Sequence, residues 1–231
     1  NIMSQLETVP LPLSCTDRAL SILPVWHIFE RMLELYSLSH GACTYYTSAR
    51  HFADDLTRVE PTFMGSAPRL WESLHHRIIT SVRKAHPVRR ALFHIALFLG
   101  IHYRDAMFSL RDQDLRLHSF SRCRIFLRKT SAALKWGLLL PWYGFFNAAV
   151  LETIRQKAGG SLRGTISGGG ALPPAIDRFF NAIGIPVLEG YGLTETSPVI
   201  AVRTLERLVC GTVGPIIPQT EVRIVDLETN E

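Results

Sequence analysis

One stretch of the sequence constrains the fold more than any other, because it holds two glycine clusters separated by a short apolar segment. Residues 167–198 read SGGGALPPAIDRFFNAIGIPVLEGYGLTETSP. The run 162–167 is typical of a strand, and Val187 and Leu188 continue as the next strand. The stretch therefore predicts a strand–helix–strand unit in which a glycine cluster follows each strand.

The segment between the glycine clusters is typical of an amphipathic helix. Pro173 and Pro174 suit its first turn, where the N–H that proline lacks has no helical partner. Asp177 and Asn181 fall off the apolar face, and Gly184 is expected to supply the left-handed turn that ends the helix. Four apolar residues share that face: Ile176, Phe179, Phe180 and Ile183.

The first third of the chain alternates strand and helix patterns. Strands are predicted at residues 19–23, 42–47 and 62–66, and helices at 26–38 and 52–59, with Pro68 opening another helix. This alternation predicts an α/β fold, a largely parallel sheet with flanking helices and right-handed crossovers. Both glycine clusters would then lie at the carboxyl edge of the sheet, where ligands of open α/β sheets bind.

The middle of the chain, residues 72–151, is predicted to be a basic helical insert. Its second half, 115–151, has no Asp or Glu. It carries six positive charges: Arg116, Arg122, Arg124, Arg128, Lys129 and Lys135. The apolar run 136–151 contains Pro141 and is shorter than the roughly 20 residues that cross a bilayer, which excludes a membrane-spanning helix.

Two interpretations of this insert stay open. It can be a solvated basic face with a core helix, or an interfacial helix whose basic residues attract anionic headgroups. In the second interpretation, four aromatic residues lie at the membrane boundary: Trp136, Trp142, Tyr143 and Phe145.

Composition sets broad limits on the class of protein. With 231 residues and 47% hydrophobic residues, the chain can bury a full core. Its formal charge of +5 suits anionic partners such as nucleotides, phosphates or acidic headgroups. The cysteines form no CxxC pair, so neither a disulfide framework nor a zinc site is indicated, and a reducing cytoplasmic location fits best. Each is expected to be a small buried residue: Cys15, Cys43, Cys123 and Cys210.

The second glycine cluster carries residues suited to a nucleotide with its metal. Tyr191 offers a flat face for a purine, and Gly190 and Gly192 leave space on either side of it. Thr194 offers a hydroxyl to a phosphate oxygen, and Glu195 offers the hard oxygen that Mg²⁺ prefers. The alternative for Glu195 is an exposed loop carboxylate without a ligand.

With these motifs the chain resembles the AMP-forming adenylating enzymes over nearly all of its length. EGYGLTETSP resembles their signature, SGGGALP their adenine-binding loop, and GTVGPIIPQTEVRIVD the strand region before their hinge, with a strand predicted to end at Asp226. LPVWHIFER resembles their segment around a substrate-pocket histidine. PRLWESL, AGGSLRGTISGGGALP and the basic insert resemble the long-chain fatty acid CoA ligases and acyl-acyl carrier protein synthetases.

The resemblance implies a two-step reaction. A fatty acid carboxylate attacks the α-phosphate of ATP, with Mg²⁺, to give acyl-AMP and pyrophosphate. A thiol then takes the acyl group, either from coenzyme A or from the phosphopantetheine of acyl carrier protein. The expected location is cytoplasmic, and the interfacial interpretation of the insert adds a peripheral contact with the inner face of an anionic membrane. No nucleic acid is expected as a partner.

The resemblance also assigns roles to residues. Gly168, Gly169 and Gly170 would form a wall of the adenine pocket, and Glu189 would lie near the adenine amino group. The other nucleotide-binding residues would be Gly190, Tyr191, Gly192 and Thr194, with Glu195 on the metal. Catalytic roles would fall to His27, Thr194 and Glu195, and the alternative for His27 is a hydrogen-bonded core histidine.

Parts of the family pattern are absent from these 231 residues. The glycine-rich loop ending in Lys that grips phosphates, the ribose-binding aspartate and the C-terminal domain with its lysine are not found. The chain is therefore expected to be part of an AMP-binding domain that has little or no turnover alone. The competing hypothesis is a non-catalytic acyl- or membrane-binding remnant.

Overall fold

The computed structural model describes residues 1–115 and 121–225. Arg116 and the strand end predicted at Asp226 lie outside these ranges. The strands are β1 (Arg18–Ser21), β2 (Cys43–Tyr46), β3 (Phe63–Ser66), β4 (Gly164–Ser167), β5 (Val187–Gly192) and β6 (Val199–Val202). Within the described ranges they form one six-stranded sheet in the order β2-β1-β3-β4-β5-β6.

The sheet is parallel from β2 through β5, and only β6 pairs in the antiparallel direction. The predicted α/β class and the largely parallel sheet are therefore confirmed. The carboxyl ends of β1, β3, β4 and β5 meet along one edge, because parallel neighbours point the same way.

Helices cover both faces of the sheet. They are α1 (Ile2–Leu6), α2 (Ile28–Ser39), α3 (Phe52–Val59), α4 (Pro68–Lys84), α5 (Pro87–Leu110), α6 (Arg122–Phe146), α7 (Glu152–Lys157) and α8 (Pro174–Ile183). A π-helical turn, Asn147–Leu151, joins α6 to α7. As predicted, Pro68 opens α4 and Gly184 ends α8 with a φ of +90°.

The core has one layer on each face of the sheet, as alternating strand residues require. On β3, Phe63 packs with Met32 and Tyr36, while its neighbour Met64 packs on the opposite face with Trp71 and Phe180. On β5, Val187 and Leu188 divide between the two layers in the same way. The predicted α8 stripe is part of the layer that contains Trp71.

Several local predictions differ from the structure. β5 extends through Gly192, so the second glycine cluster lies within the end of a strand and not after it. Asp177 and Asn181 were expected off the buried face of α8, yet both are buried. The expectation of buried cysteines is wrong for three of them: Cys15, Cys43 and Cys123 are exposed.

The basic insert is helical, but α6 is not a core helix. Ala132 is its only buried residue, and Leu134, Leu138, Trp142 and Phe145 are each more than 60% exposed. α6 packs along α5, where Tyr103 of α5 stacks on Tyr143 with ring centroids 4.0 Å apart. No helix in the described ranges has the length and apolar character needed to cross a bilayer.

Candidate active site

A cavity of about 290 Å³ lies at the carboxyl edge of the sheet. Both glycine clusters contribute to its walls, through Gly168 and Gly169 on one side and residues 190–192 on the other. His27, Thr194 and Glu195 also line it. The structure therefore brings together at one cavity most of the residues that the sequence singled out.

The first glycine loop follows β4 directly. The Gly168 N–H donates to the carbonyl of Ser66 at 3.0 Å, which keeps the loop on the sheet edge. The ring of Phe29 lies against Gly168, where a Cβ would come within 3.3 Å of it. Gly169 has a φ of +76°, a conformation that favours glycine. Gly170 is exposed and does not line the cavity.

The second glycine cluster presents the Tyr191 ring. Tyr191 pairs with Ala201 of β6, and its side chain is 49% exposed. The backbone fold requires glycine at position 192, since a Cβ there would lie 1.8 Å from the carbonyl oxygen of Pro198. That oxygen also accepts a hydrogen bond from the Leu193 N–H at 3.0 Å. The glycine thus allows the backbone to fold back tightly after Tyr191.

Thr194 and Glu195 lie on a 3₁₀ turn, Thr194–Thr196, that is held by hydrogen bonds to the residues before and after it. The Thr196 hydroxyl donates to the carbonyls of Leu193 and Pro198 at 2.9 and 2.8 Å. Neither the Thr194 hydroxyl nor the Glu195 carboxylate has a protein partner in the described part of the chain. Both groups are therefore available to a ligand in the cavity.

Gln5 holds this turn, and sequence reasoning gave it no role. Its buried side chain donates to the Thr196 carbonyl at 2.9 Å and makes two further hydrogen bonds to Val199. Val9 and Pro10, which follow α1, line the cavity as well. No local pattern around Gln5 signals this contact, because its partners lie more than 190 positions away.

His27 is the N-cap of α2. Its Nδ1 accepts the Phe29 N–H at 3.2 Å, so the neutral ring carries its proton on Nε2. The side chain is exposed and lines the cavity. A buried core histidine, the alternative considered from the sequence, is not what the structure shows.

Glu189 has a different environment from the one expected. It is 6% exposed and does not line the cavity. Its Oε1 accepts the Leu172 N–H at 3.0 Å, and its Oε2 lies 2.7 Å from Nη2 of Arg203. Arg203 also pairs with Asp177 at 2.7 Å and is fully buried. Sequence reasoning missed Arg203, although an arginine after an apolar strand was the available signal.

Among the described residues, the cavity offers a single carboxylate, Glu195, to a metal ion. In residues 1–115 and 121–225 no group of three His, Cys, Asp or Glu side chains could hold one. Mg²⁺ is commonly bound by one or two carboxylates together with substrate phosphates and water, without an all-protein cage. Glu195 alone fits this mode of binding, in which the nucleotide supplies the remaining ligands.

The family model described as AMP-binding enzyme matches residues 1–231. Two curated relatives come from Arabidopsis thaliana, each 33% identical: probable acyl-activating enzyme 16, chloroplastic, and long-chain-fatty-acid–[acyl-carrier-protein] ligase AEE15, chloroplastic. They match over 99% and 100% of this chain and 32% of their own length. Long-chain-fatty-acid–CoA ligase 3 of Saccharomyces cerevisiae is 26% identical over 92% of this chain and 27% of its own.

Solved structures share the fold at low sequence identity. A long-chain-fatty-acid-CoA ligase (FadD1) from Archaeoglobus fulgidus has a TM-score of 0.56 at 12% identity, covering 98% of this chain and 34% of that one. A benzoate CoA ligase from Burkholderia xenovorans has a TM-score of 0.54 at 18% identity, covering 98% and 33%. The chain thus spans about a third of the length of the curated relatives and structures it matches.

Proposed function

The chain belongs to the AMP-binding enzyme family, and from that premise we propose that it forms the nucleotide-binding part of an enzyme that activates a long-chain fatty acid. A carboxylate oxygen of the acid attacks the α-phosphorus of ATP, and pyrophosphate leaves. A thiolate then attacks the acyl carbonyl, and AMP leaves. The observation that carries the proposal is one cavity that joins the Tyr191 ring to the unpartnered Thr194 and Glu195 side chains.

The residues of the cavity divide the work between binding and orientation. The Tyr191 ring stacks on the purine, and the Thr194 hydroxyl donates to a phosphate oxygen. Nε2–H of His27 is a donor for an oxygen of the reacting carboxylate or phosphate. Glu195 would hold Mg²⁺, which would neutralise phosphate charge there.

The apolar part of the cavity lining supports an apolar acid. It includes Val9, Phe29, Met32, Ile166 and Val202. Such a wall excludes water from the acyl end and offers no charged partner to it. The two Arabidopsis relatives and the yeast relative have names that refer to acyl activation or long-chain fatty acids, which supports the same substrate class.

The acceptor thiol is proposed to be that of coenzyme A, with acyl carrier protein as the second candidate. One relative's name gives acyl carrier protein and another's gives coenzyme A. Thioester formation by the full-length gene product with each acceptor distinguishes them. The non-catalytic remnant is disfavoured by the intact cavity residues, because a vestigial site has no reason to keep an unpaired carboxylate facing a cavity.

A peripheral contact with an anionic membrane is the remaining part of the proposal. Residues 73–104 and 121–151 contain no Asp or Glu. On α6, however, Arg128 and Lys129 pair with Asp114 and Asp112. We therefore assign the contact to four exposed charges at the α4–α5 corner: Arg83, Lys84, Arg89 and Arg90.

The central test is ATP–pyrophosphate exchange by the full-length gene product with a long-chain fatty acid. Glu195→Ala removes the only carboxylate that lines the cavity in the described part of the chain, and it is expected to slow exchange by orders of magnitude. Glu206→Ala is the matched control, since it removes an exposed carboxylate outside the cavity. Equal exchange by Glu195→Ala and the parent would remove the metal assignment. An inactive parent would remove the proposed reaction.

A further inference from the structure

A buried charge cluster lies behind the candidate active site. Arg203 is 0% exposed, and its guanidinium contacts two carboxylates, Asp177 on α8 and Glu189 on β5, each at 2.7 Å. Its Nε donates to the carbonyl of Thr212. Each of the three guanidinium nitrogens thus donates to an acceptor from a different segment of the chain.

Both carboxylates use their second oxygen as well. Oδ1 of Asp177 accepts from the Asn181 side chain at 2.8 Å, and Oε1 of Glu189 accepts the Leu172 N–H at 3.0 Å. The Arg203 N–H also donates to the Glu189 carbonyl at 3.0 Å. In such a cluster, a planar fork fixes directions as well as distances, which the single ammonium of a lysine does not.

The hydrogen bond between Leu172 and Glu189 joins the two glycine segments that line the cavity. Leu172 directly follows the first glycine loop, residues 168–171, and Glu189 directly precedes the second glycine cluster, residues 190–192. The bond from Leu172 N to Glu189 Oε1 therefore ties one cavity wall to the other, and Arg203 fixes the carboxylate that makes it.

We propose that Arg203 is a positioning residue that sets the spacing of the two glycine segments across the cavity, with Glu189 as the link to the first segment. Glu189 then has a structural role, through its hydrogen bond with Leu172, and does not bind the adenine amino group. The spacing is a property of the fold, whereas its effect on ATP rests on the proposed function. A misplaced wall changes how well the cavity fits a nucleotide without removing any group that contacts it.

The first experiment measures hydrogen exchange in the chain without any ligand. Arg203→Lys keeps the positive charge and loses the fork, so exchange at the Leu172 amide and across 190–192 is expected to rise together by at least about tenfold. The matched control is Arg155→Lys. Arg155 is partly buried, bridges Glu152 to the Ile183 carbonyl, and does not line the cavity. It should leave both segments unchanged.

A second variant keeps the proposal testable if Arg203→Lys does not fold. Asp177→Asn, Glu189→Gln and Arg203→Met combined remove all three buried charges, a change that folded proteins often tolerate. This variant should also raise exchange in both segments. Parental exchange at Leu172 in a folded variant overturns the proposal. A uniform rise over the whole sheet overturns it too, because it would show a general structural role.

The second experiment tests the catalytic consequence in the full-length gene product. Arg203→Lys is expected to raise KM for ATP by about tenfold to a hundredfold, the scale of a small misplacement of a binding group, while Arg155→Lys does not. A fall in the folded fraction with an unchanged KM contradicts positioning. If the parent shows no ATP–pyrophosphate exchange but the variants show the expected rise in amide hydrogen exchange, the proposed function is overturned. The positioning role of Arg203 is then still supported.

Discussion

The side chain of Gln5 and the backbone of Val199 form a reciprocal hydrogen-bonded pair across 194 positions of the chain. Nε2 donates to the Val199 carbonyl at 3.0 Å, and the Val199 N–H donates to Oε1 at 3.1 Å. A third bond, from Nε2 to the Thr196 carbonyl, reaches the turn that carries Thr194 and Glu195. A residue outside the cavity thus holds two of its polar side chains in place.

Gln5→Ala should destabilise the protein and loosen this turn. It leaves the Val199 N–H and two carbonyls without their partners, which costs about 1–3 kcal/mol for buried groups. Urea denaturation measures the loss. Gln156→Ala is the control, because the Gln156 side chain donates an exposed hydrogen bond to Oε1 of Glu152. A change within about 0.5 kcal/mol for Gln5→Ala, the range of neutral surface substitutions, would argue against this role.

Tyr191→Ala should weaken ATP binding by roughly 1–3 kcal/mol, the scale of stacking a base on an aromatic ring. Tyr191→Phe keeps the ring and should bind as the parent does. Calorimetric titration of ATP into the two variants measures the difference. Equal affinity in Tyr191→Ala and Tyr191→Phe would mean that the ring does not contact the base.

His27 requires two substitutions, because it caps α2 and lines the cavity. His27→Ala removes both the cap and the Nε2–H donor, whereas His27→Asn retains a good N-cap. We expect both variants to lose about a hundredfold in the rate of adenylate formation, as for a lost donor to developing charge, but only His27→Ala to lose stability. Single-turnover kinetics and thermal unfolding separate the two effects. A fully active His27→Asn would reduce His27 to a cap.

The sequence was sufficient where one local pattern decides the structure. The period of the apolar residues predicted α3 at 52–59, and the structure has Phe52–Val59. Pro68 and Gly184 marked the helix ends that were expected of them. Tyr191, Thr194 and Glu195 were predicted to lie together because their chemistry is concentrated within five residues, and all three line one cavity.

The failures share a physical cause, which is a partner that lies beyond the reach of the local sequence pattern. Asp177 was placed off the buried face because an isolated aspartate belongs in water, yet Arg203 satisfies it in the core. Glu189 was expected near the adenine amino group from the family resemblance, which does not reveal its contacts with Arg203 and Leu172. β5 continues through Gly192 because β6 pairs with it, and glycine alone predicted a turn.

Glu30 should make the stability of the protein depend on pH. It is 2% exposed, and burial raises its pKa to about 7, with Glu34 acting in the same direction. Between its ordinary value of 4.5 and about 7, the unfolded chain is ionised while the folded protein keeps the proton. The free energy of unfolding therefore falls as pH rises through this window, by about 3 kcal/mol in total.

Glu30→Gln removes this contribution. Urea denaturation at about pH 4.5 and about pH 8 should show a smaller loss of stability in Glu30→Gln than in the parent, by about 3 kcal/mol. Glu72→Gln changes an exposed carboxylate and is the control. The same pH dependence in Glu30→Gln and the parent would show that Glu30 is ionised throughout.

The membrane proposal leads to a comparison between two sets of basic residues. Neutralising Arg83, Lys84, Arg89 and Arg90 should reduce partitioning to vesicles containing an anionic phospholipid, at about 1 kcal/mol or roughly fivefold per charge. Neutralising Arg128 and Lys129 should cost less, because Asp114 and Asp112 already offset them. Trp142→Ser tests the exposed apolar contribution, since this side chain is 62% exposed. Cosedimentation at low and high salt measures all three. No binding by the parent, salt-insensitive binding, or equal losses from the two basic sets would exclude the α4–α5 corner as a membrane contact.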